Sequence, residues 1–269
     1  MIGLILGVHL ESEFYLGQVN HILLVAYFII IYLSSKKRDI PAALIWAATI
    51  FIKPFGLIFL PYFLAKKKFK IVLLFILFII LLIIVPLPFI GATNFASQYL
   101  GWFHELSIDL GHKQMLLAPE NHTLFSILAR YTPFRLLDFT PETVFIFQLA
   151  IVGFVALIFL YFMHRGRDLK DNYVWEGAFL ISLIPLFSST GNYAFQFIEL
   201  AVFMIIFNFN KLTILWKIFA VAGLVFSAIN MHDLWGSTIW HFLNNISLVA
   251  IGATLVLVVL VNLRMKKIA

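Results

Sequence analysis

The stretch Ile71–Val85, IVLLFILFIILLIIV, decides the fold. It contains no polar side chain. It therefore shows neither the alternation of a half-buried strand nor the polar stripe of a surface helix. Backbone in hydrocarbon must satisfy its own hydrogen bonds, which leaves helices and closed barrels. Barrel strands alternate polar with apolar residues, and this run does not. The rest of the chain follows suit. Of 269 residues 62% are hydrophobic and 12% charged, and the mean hydropathy is +1.01. Soluble domains are about half apolar and about a quarter charged. A soluble globular, disordered or coiled-coil chain is excluded on that ground. Cysteine is absent, which excludes a disulfide framework, a thiolate metal site and a cysteine nucleophile.

The expected fold is all-α: a polytopic integral membrane helical bundle of about eight membrane segments, forming one transmembrane domain over residues 1–269. The charges set its sidedness. The net charge is +6, and the basic residues cluster between apolar runs at Lys36–Arg38, Lys66–Lys68 with Lys70, Arg165 with Arg167 and Lys170, and Arg264 with Lys266 and Lys267. Short basic loops of this kind face the cytoplasm. They form no basic face with interleaved aromatics, so nucleic acid is not an expected partner and membrane lipids are.

The region Ile40–Ala65 carries basic clusters at both ends and Lys53-Pro54 in its middle. A single straight span would put one cluster outside. Proline breaks a helix, and a lysine at mid-depth is costly. Two half-helices folded back to the cytoplasmic side ease both problems, each about 18 Å long at the helical rise. Lys53 then sits at the tip of a broken re-entrant hairpin. The first full span is expected from Gln18 to Leu33, and a later one runs outward over 71–90. Residues 92–141 read as an outer loop, with a short interfacial helix over Asn121–Arg130. Further spans are expected at 143–163, 174–189, 193–209, 213–229 and 241–263.

Three polar groupings interrupt the apolar pattern: Gly17-Gln18-Val19-Asn20-His21, Ile52-Lys53-Pro54 and Asn121-His122-Thr123, with Arg130 seven residues beyond Thr123. Glu199 adds an intramembrane acid one turn after Gln196. Each grouping has a structural reading. Gln18 and Asn20 suit interhelical hydrogen bonds, and Asn121-His122-Thr123 suits a helix N-cap. Lys53 suits a pairing with Glu199 or a snorkelled ammonium. His104, Glu105, Asp109 and His112 have metal-ligand side chains but no compact ligand spacing, so no metal and no cofactor is expected.

Together, and in this order, the groupings resemble the polytopic glycosyltransferases of family 87 in the GT-C superfamily, bacterial enzymes that include polyprenol-phosphate-mannose-dependent mannosyltransferases. The likeness rests on Gly17/Gln18/Asn20, Ile52/Lys53/Pro54, the basic loop Lys66–Lys70, Asn121/Thr123 and Pro185. It implies a multi-pass protein of the bacterial plasma membrane whose site faces the outer side. The implied reaction transfers a hexose from a polyprenyl-phosphate-linked sugar donor to a lipid or glycan acceptor of the cell envelope. Lys53 would hold the donor phosphate, while Gln18, Asn20, Asn121, His122 and Glu199 would bind substrate. The superfamily's catalytic base is an acidic residue in a first outer loop, and this chain reads as beginning after that loop. The catalytic base is therefore unassigned. The alternatives are a lipid or solute transporter or flippase, and a catalytically incomplete fragment or subunit.

Overall fold

The computed structural model describes residues 19–112, 116–118, 121–167, 171–188, 192–229 and 232–266. It is all-α, with no strand among the described residues. The chain divides into two compact units, one of residues 22–115 and one of residues 1–21 with 116–269.

The first unit contains most of α1 (Asn20–Ser35), then α2 (Asp39–Ile52), α3 (Phe59–Ala65), α4 (Phe69–Ile84) and α5 (Leu87–His112). The helix ends at Lys53, whose backbone is extended at φ −148 and ψ 133, and a 3₁₀ turn over Pro54–Ile58 leads into α3. The cause is local: proline disfavours helical backbone in the residue before it. The chain then reverses. The Trp46 ring lies 5.2 Å from Phe63 and 6.5 Å from Phe59, and it stacks on Phe75 at 3.7 Å. A straight continuation would place Trp46 and Phe63 about 25 Å apart at the helical rise. Tyr27 of α1 closes the aromatic cluster, 5.2 Å from Phe59. Trp46 Nε1 donates to the Gly56 carbonyl at 2.7 Å. Gly56 permits that approach, since a Cβ there would come within 3.1 Å of Thr49 Oγ1.

The two basic turns are built alike. Helix α1 ends with Lys37 in the left-handed region (φ 58), Arg38 N–H bonded to Leu33 O and Lys37 N–H to Ser34 O. Helix α3 repeats this with Lys67 (φ 55), Lys68 N–H on Phe63 O and Lys67 N–H on Leu64 O. Both are Schellman endings, in which the residue that usually is glycine is lysine. The left-handed conformation costs such a residue about 1–2 kcal/mol, while the cation faces the negative end of the helix dipole. The Lys68 ammonium donates to Ser34 O at 2.5 Å and to Ser34 Oγ at 2.8 Å. Both basic turns therefore lie at one end of this unit.

The second unit contains α6 (Leu124–Tyr131), α7 (Pro141–Arg165), α8 (Asn172–Ser182), α9 (Ile184–Phe187), α10 (Glu199–Phe207), α11 (Ile214–Ala228), α12 (His232–Asn245) and α13 (Leu248–Met265). A 3₁₀ segment, Asn192–Ile198, runs into α10. Helix α13 is central and packs against every other helix of the unit. Its closest partner is α11, where Gly252 sits on backbone: a Cβ there would be 2.4 Å from Ser227 N and 2.9 Å from Gly223 O. Such small-residue seams bring membrane helices together by van der Waals contact. The far end of α13 is closed by Arg264. Its buried guanidinium lies over the rings of Phe162 and Trp175 at 5.2 and 5.7 Å and donates to Asn172 Oδ1, with Glu176 also buried on α8.

Among the described residues, α7 and α13 are long and apolar enough to cross a membrane. Several expected boundaries move. Residues 93–112, read as loop for their polarity, belong to α5, which kinks at Gly91 (φ 75). No proline follows Pro88 there to stop the helix. The span expected over 71–90 is interrupted where α4 ends at Ile84, before Pro86. The final helix starts at Leu248 rather than 241, because Ser247 takes the left-handed conformation (φ 51, ψ 42). The short helix expected near Asn121–Arg130 is present as α6.

Substituting Gly252→Leu should overpack the α11–α13 seam and cost about 1–3 kcal/mol. A detergent-solubilised variant that unfolds at the same temperature as the unaltered chain would show that this contact does not set the packing.

Candidate functional site

Two groups of polar side chains stand out, one in each unit. In the first unit, Lys53 occupies the chain reversal, half-buried, with its ammonium 5.8 Å from the centre of the Phe55 ring. Helix α2 is 14 residues long, or about 21 Å at the helical rise. Lys53 therefore stands that far from the end where the basic turns meet.

In the second unit the polar side chains gather around the 3₁₀ segment and the start of α13. Thr123 caps α6, its Oγ1 accepting from Ser126 N–H at 3.2 Å. Asn121 Oδ1 in turn accepts from Thr123 N–H at 3.0 Å and from Thr123 Oγ1 at 2.7 Å. This is the N-cap reading of Asn121-His122-Thr123 in full. His122 points elsewhere. Its Nδ1 meets Ser247 Oγ at 2.8 Å, and its ring lies 6.4 Å from Phe195, edge to face.

Arg130 fastens these parts. It donates to Asn245 O at 2.8 Å, to Asn121 O at 3.0 Å, to Ser126 O at 3.4 Å and to Ser247 Oγ. A guanidinium has five N–H donors in a rigid fork, and here they are spent on backbone carbonyls and one hydroxyl. Arg130 thus acts as a clamp between the Asn121 segment and the α12–α13 turn. Helical spacing alone places Arg130 only loosely near Asn121. The contact forms because Asn121 lies outside the helix and offers its carbonyl.

Four residues beyond Phe195, Glu199 opens α10. Its carboxylate Oε1 lies 3.3 Å from His21 Nε2, and the Glu199 side chain is 7% exposed. Between Phe195 and Glu199 stands Gln196, fully buried. Asn20 is also fully buried. Of the residues expected from sequence to bind substrate, Asn20, Asn121, His122 and Glu199 belong to this unit, and the structure brings His122 against Phe195, four residues before Glu199. Lys53 belongs to the other unit. Gln18 lies outside the described residues. Among the described residues no group of three or more His, Cys, Asp or Glu side chains could hold a metal.

Sequence reasoning missed Ser247 and gave no weight to Gln196. A buried glutamine in the apolar run from Ala194 to Phe207 is itself a signal, since polar groups at membrane depth need partners. Ser247 had only the weak turn signal of Asn244-Asn245 before it.

The model of Glycosyltransferase family 87 matches residues 2–189. The chain belongs to that family. Neither a curated protein nor a solved structure matches it. Membership in family 87 assigns glycosyltransferase activity, and its members are membrane proteins. The family 87 match takes in Lys53, Asn121 and His122, whereas Gln196, Glu199 and Ser247 lie beyond it.

Arg130→Lys should destabilise the second unit. A lysine ammonium cannot span the acceptors of the guanidinium fork, and each buried carbonyl left without a donor costs about 1–3 kcal/mol. Thermal unfolding in detergent checks this; equal midpoints would mean the clamp is ornamental.

Proposed function

We propose that this family 87 protein transfers a hexose, mannose-like, from a polyprenyl-phosphate sugar to a lipid or cell-envelope glycan acceptor at the outer face of the plasma membrane. The apolar surfaces of its helices support the reading. Helix α7 leaves Phe145, Ile146, Leu149, Phe154 and Leu157 exposed, and α4 leaves Leu73, Leu77 and Ile80 exposed. Surfaces so apolar are suited to lipid and not to water. In the second unit Ser247 and Arg264 mark opposite ends of α13, about 25 Å apart at the helical rise, close to a bilayer's hydrocarbon thickness of about 30 Å.

The observation that carries the proposal is the bond from Lys68 to Ser34. It gathers both basic turns at one end of the first unit and leaves Lys53 at the far end of a folded-back pair. With the basic turns at the cytoplasmic surface, that lysine lies deep in the bilayer and toward the outer leaflet. An ammonium at that depth is costly and belongs to function by default. A lipid-linked sugar phosphate brings an anion to that depth on an apolar tail. Charge on the departing phosphate grows during transfer, and a preorganised cation in a water-poor site stabilises it. Gln18, Asn20, Asn121, His122 and Glu199 supply amide, imidazole and carboxylate groups suited to sugar hydroxyls.

Lys53→Ala should abolish transfer from a radiolabelled polyprenyl-phosphate hexose while the protein remains folded; undiminished transfer removes Lys53 from the reaction. The chain has no cysteine, which permits a topological test. Cysteines introduced as Lys36→Cys and Lys66→Cys should react with a membrane-impermeant maleimide from the same compartment. Labelling from opposite compartments would overturn the folded-back hairpin as a membrane element.

A further inference from the structure

Helix α5 changes direction at Gly91, where φ is 75 and ψ 157, a backbone that glycine adopts far more readily than other residues. Beyond the kink the helix is two-faced. At helical spacing, Phe95, Tyr99, Trp102 and Phe103 share one face, Asn94, Ser97, Gly101 and Glu105 share the opposite one, and Leu100 stands on the boundary. The rings pair along their face, Phe95 with Tyr99 at 4.8 Å and Trp102 with Phe103 at 5.0 Å. Trp102 is 38% exposed and Phe103 59%, so the first unit leaves much of that face uncovered. Its orientation says what covers it. The Tyr99 hydroxyl donates to the Ile83 carbonyl at 3.3 Å, one residue before α4 ends. The aromatic face is thereby turned back toward α4, whose flank exposes Leu73, Leu77 and Ile80. The depth agrees. The 16 residues of α4 rise about 24 Å, and the stretch from Val85 to Ile90 brings Gly91 to about the 30 Å of a hydrocarbon core. Between Lys70 and Lys113 the chain has no lysine or arginine, as suits an outer segment. Apolar area, and not attraction to anionic headgroups, is then what holds this face to lipid.

We propose that residues 92–105 form an arm that lies flat on the outer leaflet, its partner a neutral phospholipid surface. Phe95, Tyr99, Trp102 and Phe103 sink to the boundary between headgroups and acyl chains, while Asn94, Ser97, Gly101 and Glu105 face water. The inference rests on the membrane reading of α4 given above. Tryptophan and tyrosine suit that boundary, because their rings are apolar and their edges polar. An amphipathic helix in this position buries its apolar face by about 5–10 Å. The kink at Gly91 is what turns the chain from crossing the bilayer to lying along it.

The chain has no cysteine, so a single introduced cysteine can place a nitrobenzoxadiazole fluorophore at a chosen position. The test uses the full chain in phosphatidylcholine proteoliposomes. Phe95→Cys and Phe103→Cys report the aromatic face, Ser97→Cys and Glu105→Cys the polar face, and Leu73→Cys the flank of α4. A variant that fails to fold is replaced by the other of its pair on the same face. Fluorophores on the aromatic face should lose most of their emission to phosphatidylcholine spin-labelled next to the headgroup. They should lose less to the same lipid spin-labelled at its chain end, and little to aqueous iodide. Fluorophores on the polar face should be quenched by iodide and little by either lipid. Iodide quenching on both faces, with neither lipid effective, overturns the inference and puts the arm in water. Protection of the aromatic face from lipid and iodide alike also overturns it and assigns that face to protein, such as a second copy of the chain. Strongest quenching of both faces by the chain-end label overturns it too, because the arm then crosses the bilayer. The position at Leu73 separates the two readings. If the chain-end label quenches it and the aromatic face fails, the arm alone is misplaced; if the label does not reach it, the membrane reading of α4 fails and this inference falls with it.

Discussion

Where a helix is interrupted in an apolar protein, its carbonyls and amides lose their partners, and no water stands by to replace them. The hydrogen bond from the Trp46 indole to the Gly56 carbonyl answers that constraint at the break after Lys53. The Gly56 carbonyl, which also accepts from Phe59 N–H, is thereby held within the aromatic cluster at the Lys53-Pro54 reversal. The same solution recurs elsewhere. Arg130 serves the carbonyls of Asn121, Ser126 and Asn245, and Trp235 Nε1 serves Ile229 O at 2.6 Å. The Schellman endings at Lys37 and Lys67 serve the last carbonyls of α1 and α3. In this protein the polar side chains are thus spent first on backbone. Gln196, fully buried with neither its amide nitrogen nor its carbonyl oxygen hydrogen-bonded, is the exception.

This division explains what could be read from the amino-acid order. The break at Lys53 was legible because proline imposes it through covalent geometry, whatever the surroundings. The cap at Thr123 was legible for the same reason, being a contact between residues three apart. The joining of the two basic turns followed from charge and apolar length, and the contact of Lys68 with Ser34 agrees with it. The clamp at Arg130 was not legible. Its acceptors at 121 and 245 are backbone atoms, which carry no mark in a sequence. Ser247 was hidden likewise, since its importance comes from a left-handed backbone and from partners more than a hundred positions away. Residues 93–112 were misread because polarity was taken as a sign of loop, although polar residues without proline form helix readily.

The chemistry of transfer sets a further condition. A departing phosphate needs a cation, and a hydroxyl nucleophile needs a base that no cation has already neutralised. A permanent guanidinium or ammonium pressed against a carboxylate favours its charged form and weakens it as a proton acceptor. Glu199 has the His21 imidazole beside it, Nε2 lying 3.3 Å from its Oε1. The buried arginine of the second unit, Arg264, is held at the far end of α13 by Phe162, Trp175 and Asn172, some 25 Å from Ser247 by the helical rise. Arg130 is tied to carbonyls and a hydroxyl. Arg264 and Arg130 are thus engaged with aromatic rings, an amide group, backbone carbonyls and a hydroxyl, and they serve the packing of this unit.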